Sequence, residues 1–114
     1  AVPDRESWYV QTGQGMLATI NITSEKNGYT LTDRGTYIKY GAAMGGKPTL
    51  TILVEGDTRL KNQYSVIAVN PEKCPGADID GAKAFSAWMA GPAGQKLIND
   101  FRLMGQQLFP SNSL

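Results

Sequence analysis

The feature that most constrains the fold of this chain is a glycine-rich turn at residues 12–16. Aromatic and β-branched residues precede it at residues 8–10, and apolar residues recur at helical spacing after it. Glycine allows the backbone to approach a ligand closely, and the first amides of a helix have no carbonyl partners within that helix. Because those amides lie at the positive end of the helix dipole, such a turn can hold an anion. A strand-to-helix turn also uses glycine for its own geometry, so the pattern alone leaves both interpretations open.

Two polar turns supply the candidate binding side chains. We predict Thr12 of the first turn as a helix N-cap. In the second turn, residues 32–36, Arg34 either donates charge-assisted hydrogen bonds to an anion or forms a surface salt bridge. Asp33 would repel an anion, so we expect it to pair with Arg34 or to cap the helix at Gly35. The candidate oxyanion-binding residues are Thr12, Gly13, Gln14, Gly15 and Arg34.

The composition argues against several classes of function. The chain has 114 residues, enough for one domain or part of a larger one, and a net charge of +1 with scattered Lys and Arg, so we predict no nucleic-acid partner. It has no histidine, which removes Ser/His/Asp and Cys/His catalysis and the usual zinc sites. The single cysteine, Cys74, lies in a loop sequence and has no internal disulfide partner. Asp78 and Asp80 fit the start of a helix better than a metal site. We therefore predict no enzymatic activity, no metal site and no cofactor.

The periodicity predicts alternating strands and helices. Strands are expected at residues 8–12, 29–32, 50–54 and 63–69, and helices at residues 13–26, 36–40, 79–90 and 92–101. Asn27 and Gly28 are expected to end the first helix, and Pro92 to begin the last one. The predicted core of the two last helices comprises Phe85, Trp88, Leu97, Ile98 and Phe101. The element order predicts an α/β sheet with ligands beyond the strand ends, where both polar turns fall.

Several runs of the chain resemble the periplasmic tungstate-binding proteins of bacterial ABC transporters. They are residues 8–16 (WYVQTGQGM), 29–37 (YTLTDRGTY), 53–57 (LVEGD), 60–64 (LKNQY) and 66–71 (VIAVNP). A helix break at residues 91–95 (GPAGQ), together with Phe101, resembles a feature found more widely among oxyanion-binding proteins. The resemblance implies a type II periplasmic binding fold, in which two lobes close on the ligand.

The same resemblance implies that the chain is part of a larger fold. Members of that family are longer, and their N-terminal half contributes a Ser/Thr-rich loop and an arginine-containing segment that nothing here matches. The chain resembles the C-terminal half: residues 1–62 as part of the second, anion-binding lobe, and residues 63–114 as the return crossing and closing helices of the first. We expect uncovered sheet edges and apolar helix faces to pair with the missing N-terminal half or with a second copy of the chain.

The function implied is capture of tungstate or molybdate and delivery to the transporter permease. The resemblance places the protein in the periplasm, or lipid-anchored outside the cell, after signal removal. Tungstate at neutral pH is a dianion without a proton, so its site should offer donors and no carboxylate acceptor. Molybdate has nearly the same size and charge, and the sequence does not separate the two. The alternative is an oxyanion-sensing effector module of a transcription regulator. A hydrolase or transferase acting on a phosphorylated substrate is disfavoured, because histidine and paired carboxylates are missing.

Overall fold

The computed structural model describes residues 2–110, and within them the main elements are helices and one short hairpin. These elements are α1 (Met16–Glu25), α2 (Arg34–Ala43), α3 (Ile79–Ala90), α4 (Pro92–Asp100), β1 (Arg102–Leu103) and β2 (Gln106–Gln107). Short 3-10 turns lie at Pro3–Arg5 and Thr58–Leu60. The chain divides into two compact units. The first, Ala1–Leu53, contains α1 and α2, and the second, Val54–Leu114, contains α3, α4 and the hairpin.

The first unit is built on the packing of α1 against α2. Ile20, Ile38 and Tyr40 form its buried core, and Tyr40 is 1% exposed. The Tyr40 hydroxyl donates to Ser24 Oγ at 3.1 Å and lies 2.6 Å from Thr49 Oγ1. These hydrogen bonds lower the pKa of Tyr40 from its ordinary value. Because a buried hydroxyl without partners is destabilising, the two bonds allow this ring to be buried.

Helix α1 ends at a left-handed residue, as residues 27–28 predict. Asn27 has φ 51°, and its amide donates to the Ser24 carbonyl at 3.2 Å. The Gly28 amide reaches back to the Thr23 carbonyl at 2.9 Å. This pair of bonds is a Schellman motif, with asparagine rather than glycine in the left-handed position. The motif satisfies two carbonyls at the end of α1.

The second unit is built on α3 and α4, which pack against each other. Asp78 caps α3 by accepting the Gly81 amide at 2.9 Å, as predicted. Gly91 ends α3, and Pro92 occupies the first turn of α4, so the predicted helix break is confirmed. Gly94 is buried where a β-carbon would collide with the carbonyl oxygen of Trp88. The absence of a side chain at Gly94 is therefore what lets the first turn of α4 approach the last turn of α3.

The hairpin that follows α4 was not predicted. Arg102 pairs with Gln107 and Leu103 pairs with Gln106 in antiparallel register. The two residues between the strands, Met104 and Gly105, have φ 50° and φ 80°. Positive φ at both central residues is the requirement of a type I′ turn, which suits the twist of a two-residue hairpin.

The four predicted strands are not formed in the described residues. Residues 8–12, 29–32, 50–54 and 63–69 are not in any ladder, and β1 and β2 are the strands among residues 2–110. Exposed apolar side chains in these segments include Tyr29, Leu31, Leu53 and Ile67. A strand exists only when a neighbour accepts and donates its backbone hydrogen bonds. The alternating pattern predicts segments suited to strands, but the sequence does not show which segment would supply the partner.

The predicted core of α3 and α4 is also largely exposed. Phe85 and Trp88 stack on each other with ring centroids 6.2 Å apart, yet they are 55% and 46% exposed. Leu97 and Phe101 are likewise exposed, at 62% and 50%, and Ile98 is half-buried. Helical spacing identifies an apolar face, but burial requires a second surface over that face. The described part of the second unit does not provide that surface for these side chains.

Candidate functional site

The glycine turn forms the start of α1, and the helix begins later than predicted. Gly15, with φ −68° and ψ 171°, is the N-cap, and Met16 is the first helical residue. Thr12 is therefore not the N-cap, which corrects the prediction from the sequence. Glycine and threonine both occur at N-caps, so residue type alone did not decide between them. Gly13 has φ +62°, a conformation that glycine adopts without strain.

The start of α1 is open. Among the described residues, no side chain caps it, and a β-carbon built at Gly13 or Gly15 would meet nothing within 4 Å. The bond from the Thr19 amide to the Gly15 carbonyl, at 2.9 Å, begins the helical ladder. The amides of the three residues before Thr19 thus lack carbonyl partners within the helix. Together with the helix dipole, they provide hydrogen-bond donors of the kind that anions bind.

Two residues of the turn, Thr12 and Gln14, are hydrogen-bonded to each other and to Thr19 of α1. The Gln14 amide donates to Thr12 Oγ1 at 3.3 Å, and Thr12 Oγ1 lies 2.8 Å from Thr19 Oγ1. The Thr19 hydroxyl is also within reach of the Gln14 carbonyl, at 3.4 Å. Thr12 and Thr19 are both half-buried. The sequence did not single out Thr19, because a residue seven positions from Thr12 contacts it only once the turn has folded back on the helix.

The second polar turn forms the start of α2, and its cap is a carboxylate. Asp33 accepts the Thr36 amide at 2.6 Å, and its carbonyl accepts the Tyr37 amide at 3.2 Å. Asp33 therefore caps the helix, which is one of the two roles expected for it. The cap hydrogen bond comes from the Thr36 amide rather than from Gly35. Arg34 is the first residue of α2 and is exposed. Helix α2 also starts two residues earlier than predicted, because Asp33 caps it there.

A buried hydroxyl lies next to that cap. Within residues 2–110, Thr32 Oγ1 is buried and has no hydrogen-bond partner. Leaving a buried polar group unsatisfied costs about 1–3 kcal/mol. This part of the first unit therefore has an unmet hydrogen-bonding requirement beside the start of α2.

Two charged pairs outside these turns form surface contacts. Arg59 donates to both carboxylate oxygens of Asp57, at 3.0 and 2.8 Å, and holds the pKa of Asp57 below its ordinary value. The Lys96 ammonium likewise lowers the pKa of Asp100. Cys74 is an exposed free thiol. Across residues 2–110, no group of three or more His, Cys, Asp or Glu is arranged to hold a metal, and none of the helices has the length and apolarity to span a membrane.

Comparison with known proteins identifies the family. Residues 3–93 match the family described as the PBP superfamily domain. The chain belongs to this superfamily. A solved structure, the tungstate binding protein TupA from Desulfovibrio alaskensis, is 61% identical and matches the whole chain with a TM-score of 0.85. The predicted periplasmic-binding-protein fold is therefore confirmed, and residues 2–110 are rich in helix and poor in strand.

Curated relatives of this PBP domain carry related names. The tungstate-binding protein TupA of Campylobacter jejuni is 52% identical over 95% of the chain, and TupA of Peptoclostridium acidaminophilum is 41% identical over 93% of it. A protein of Haloferax volcanii, named as an ABC transporter anion-binding protein, is 37% identical over 95% of the chain. The chain spans 40%, 36% and 32% of these relatives, and 46% of the solved structure.

Proposed function

We propose that this PBP domain is part of the substrate-binding component of an ABC transporter, which captures tungstate or molybdate and delivers it to a permease. The observation that carries the proposal is the open start of α1, where Gly15 leaves the first amides available. The names of the relatives, two tungstate-binding proteins and an ABC transporter anion-binding protein, support the same substrate class. We place the protein in the periplasm, or lipid-anchored outside the cell, as expected for a receptor that supplies a permease.

The proposed ligand matches the donors available. A tetrahedral dianion without a proton only accepts hydrogen bonds, so donors and positive charge stabilise it and a nearby free carboxylate repels it. The candidate donors are the amides at the start of α1, the Thr12 hydroxyl and the Arg34 guanidinium, with Gly13, Gln14 and Gly15 forming the turn. The Gln14 amide already donates to Thr12 Oγ1, so its contribution in this conformation is to hold the hydroxyl. Asp33 is engaged with the Thr36 amide.

We further propose that the site is completed by the rest of a two-lobed fold. The chain spans less than half of the solved structure that it matches. In the second unit, Leu97, Ile98, Phe101 and Phe109 line an apolar groove of about 300 Å³. In the first unit, the segments predicted as strands are in no ladder within the described residues, and Thr32 Oγ1 has no hydrogen-bond partner among them. Large exposed apolar surfaces of this kind mark contact sites. We assign residues 1–62 to the anion-binding lobe and residues 63–114 to the return crossing and closing helices. Residues 1 and 111–114 lie outside the described residues.

Calorimetric titration tests the proposal in a two-lobed protein that carries this chain. Tungstate and molybdate should each release heat and compete for one site, whereas phosphate, which carries a proton and suits a carboxylate acceptor, should not displace them. The isolated chain should bind tungstate much more weakly, because part of the donor set would come from outside it. Absence of tungstate binding by the two-lobed protein would contradict the proposed function. Equally tight binding by the isolated chain would contradict the proposal that the rest of the fold completes the site.

A further inference from the structure

The two threonine hydroxyls at the start of α1 are close enough to form a hydrogen bond with each other. Thr12 Oγ1 lies 2.8 Å from Thr19 Oγ1, and either atom can be the donor. Thr12 Oγ1 also accepts the Gln14 amide at 3.3 Å. The Thr19 hydroxyl has a second possible acceptor, the Gln14 carbonyl, at 3.4 Å. Each hydroxyl has one proton, so all three contacts form together only when Thr12 donates to Thr19 and Thr19 donates to the Gln14 carbonyl.

Two proton arrangements are possible. In the first, Thr19 donates to the Gln14 carbonyl and Thr12 donates to Thr19, so the Thr12 proton is used within the turn. In the second, Thr19 donates to Thr12 Oγ1, and the Thr12 proton is free to point away from the turn. In this second arrangement Thr12 Oγ1 accepts from two groups, the Gln14 amide and the Thr19 hydroxyl. Donation into a hydroxyl oxygen polarises its O–H bond and makes it a stronger donor.

We propose that Thr19 is a positioning residue for the oxyanion, whose hydroxyl holds Thr12 in the outward-donating arrangement when the ligand is bound. The inference rests on the proposed function, since it concerns the same ligand at the same helix start. A dianion such as tungstate accepts and never donates, so it selects the second arrangement. Thr19 then contributes to binding without touching the anion. When no anion is bound, the first arrangement keeps both hydroxyls and the Gln14 carbonyl hydrogen-bonded within the turn.

The experiment measures tungstate affinity by calorimetry in a two-lobed protein that carries this chain. Thr19→Val keeps the branched shape but removes the hydroxyl, and we expect about three- to tenfold weaker binding, the loss typical of one neutral hydrogen bond. Thr19→Ser retains the hydroxyl and should restore binding to within about twofold of the unsubstituted protein. Thr23→Val is the matched control on the same helix, because the Thr23 hydroxyl donates to the Thr19 backbone carbonyl and not to the turn. Its effect on affinity should be within about twofold.

A double variant distinguishes a positioning role from a structural one. If Thr19 acts through the Thr12 hydroxyl, Thr12→Val combined with Thr19→Val should bind no more weakly than Thr12→Val alone. Additive losses would overturn the inference, as would unchanged binding by Thr19→Val or failure of Thr19→Ser to restore it. If the unsubstituted protein does not bind tungstate, the proposed function itself fails, and this inference fails with it.

Discussion

The starts of α1 and α2 are similar in backbone and opposite in what they offer to a ligand. Both helices have ten residues, and both follow an extended N-cap residue, Gly15 with ψ 171° and Asp33 with ψ 161°. The Asp33 carboxylate neutralises the positive end of α2 by accepting the Thr36 amide. Gly15 places no side chain at the start of α1, and the space beside it is open. Replacing a polar N-cap by glycine costs only a few tenths of a kcal/mol, so a helix start can be kept free for an external anion at little cost in stability.

The strongest test of this comparison makes α1 resemble α2. Gly15→Asp should leave the fold intact, because a β-carbon at Gly15 meets nothing within 4 Å and the backbone is already extended. Tungstate affinity in the two-lobed protein should fall by about a hundredfold or more, since a carboxylate would occupy the amides and repel the dianion. Calorimetry gives the affinity, and thermal unfolding should show stability unchanged or slightly increased.

A neutral substitution at Gly15 separates the effect of negative charge on anion binding from the effect of a side chain that occupies the first amides of α1. Gly15→Asn introduces a cap of nearly the same size without the negative charge. We expect a smaller loss of affinity than for Gly15→Asp, with a similar effect on stability. Equal affinity for the aspartate variant and the unsubstituted protein would place the anion somewhere other than the start of α1.

The second test asks whether α2 contributes to binding through Arg34. Arg34→Ala should weaken tungstate binding by about 2–5 kcal/mol, the range for removing a charged donor from a partly desolvated pair. Arg102→Ala is the matched control, because Arg102 donates to the Asn99 carbonyl at 2.7 Å at the end of α4. Its effect on binding should be below about 1 kcal/mol. If both variants bind as tightly as the unsubstituted protein, Arg34 is structural and the site depends on the glycine turn.

The sequence correctly predicted the structural features that depend on residues close together in the chain. Asp78 and the Gly91–Pro92 break act within one helical turn, and both were found where expected. The α1 start was misplaced because Thr12, Gly13 and Gly15 are all acceptable N-caps, and the choice depends on how the turn folds back to Thr19. The strands and the burial of Phe85 and Trp88 depend on surfaces distant in sequence. Strand pairing and side-chain burial require a tertiary neighbour, so a local sequence pattern does not determine them.

The third test removes the carboxylate from α2. Asp33→Ala leaves the Thr36 amide without its partner, and we expect the free energy of unfolding to fall by about 1 kcal/mol. The measurement is urea unfolding followed by circular dichroism. Asp33→Asn, which can still accept that amide, should recover most of the loss. A full loss in both variants would mean that the charge, rather than the cap hydrogen bond, stabilises α2. Stability equal to that of the unsubstituted protein in both would show that the cap contributes little.

The smallest expected effect concerns Asp57, which caps the Thr58–Leu60 turn as Asp33 caps α2. Asp57 accepts the Arg59 amide at 2.8 Å and pairs with the Arg59 guanidinium, which keeps the pKa of Asp57 below its ordinary value of 3.8. Because the folded pKa is the lower one, the stabilisation is present above the ordinary value and is lost as pH falls through the folded pKa. Arg59→Ala should raise the pKa of Asp57 toward its ordinary value, as measured by NMR titration of the carboxyl carbon. Tungstate affinity should stay unchanged, because the Arg59 side chain is 87% exposed and its contact is solvated. A marked loss of affinity in this variant would show that the Asp57–Arg59 pair influences the anion, and that the open start of α1 does not explain binding by itself.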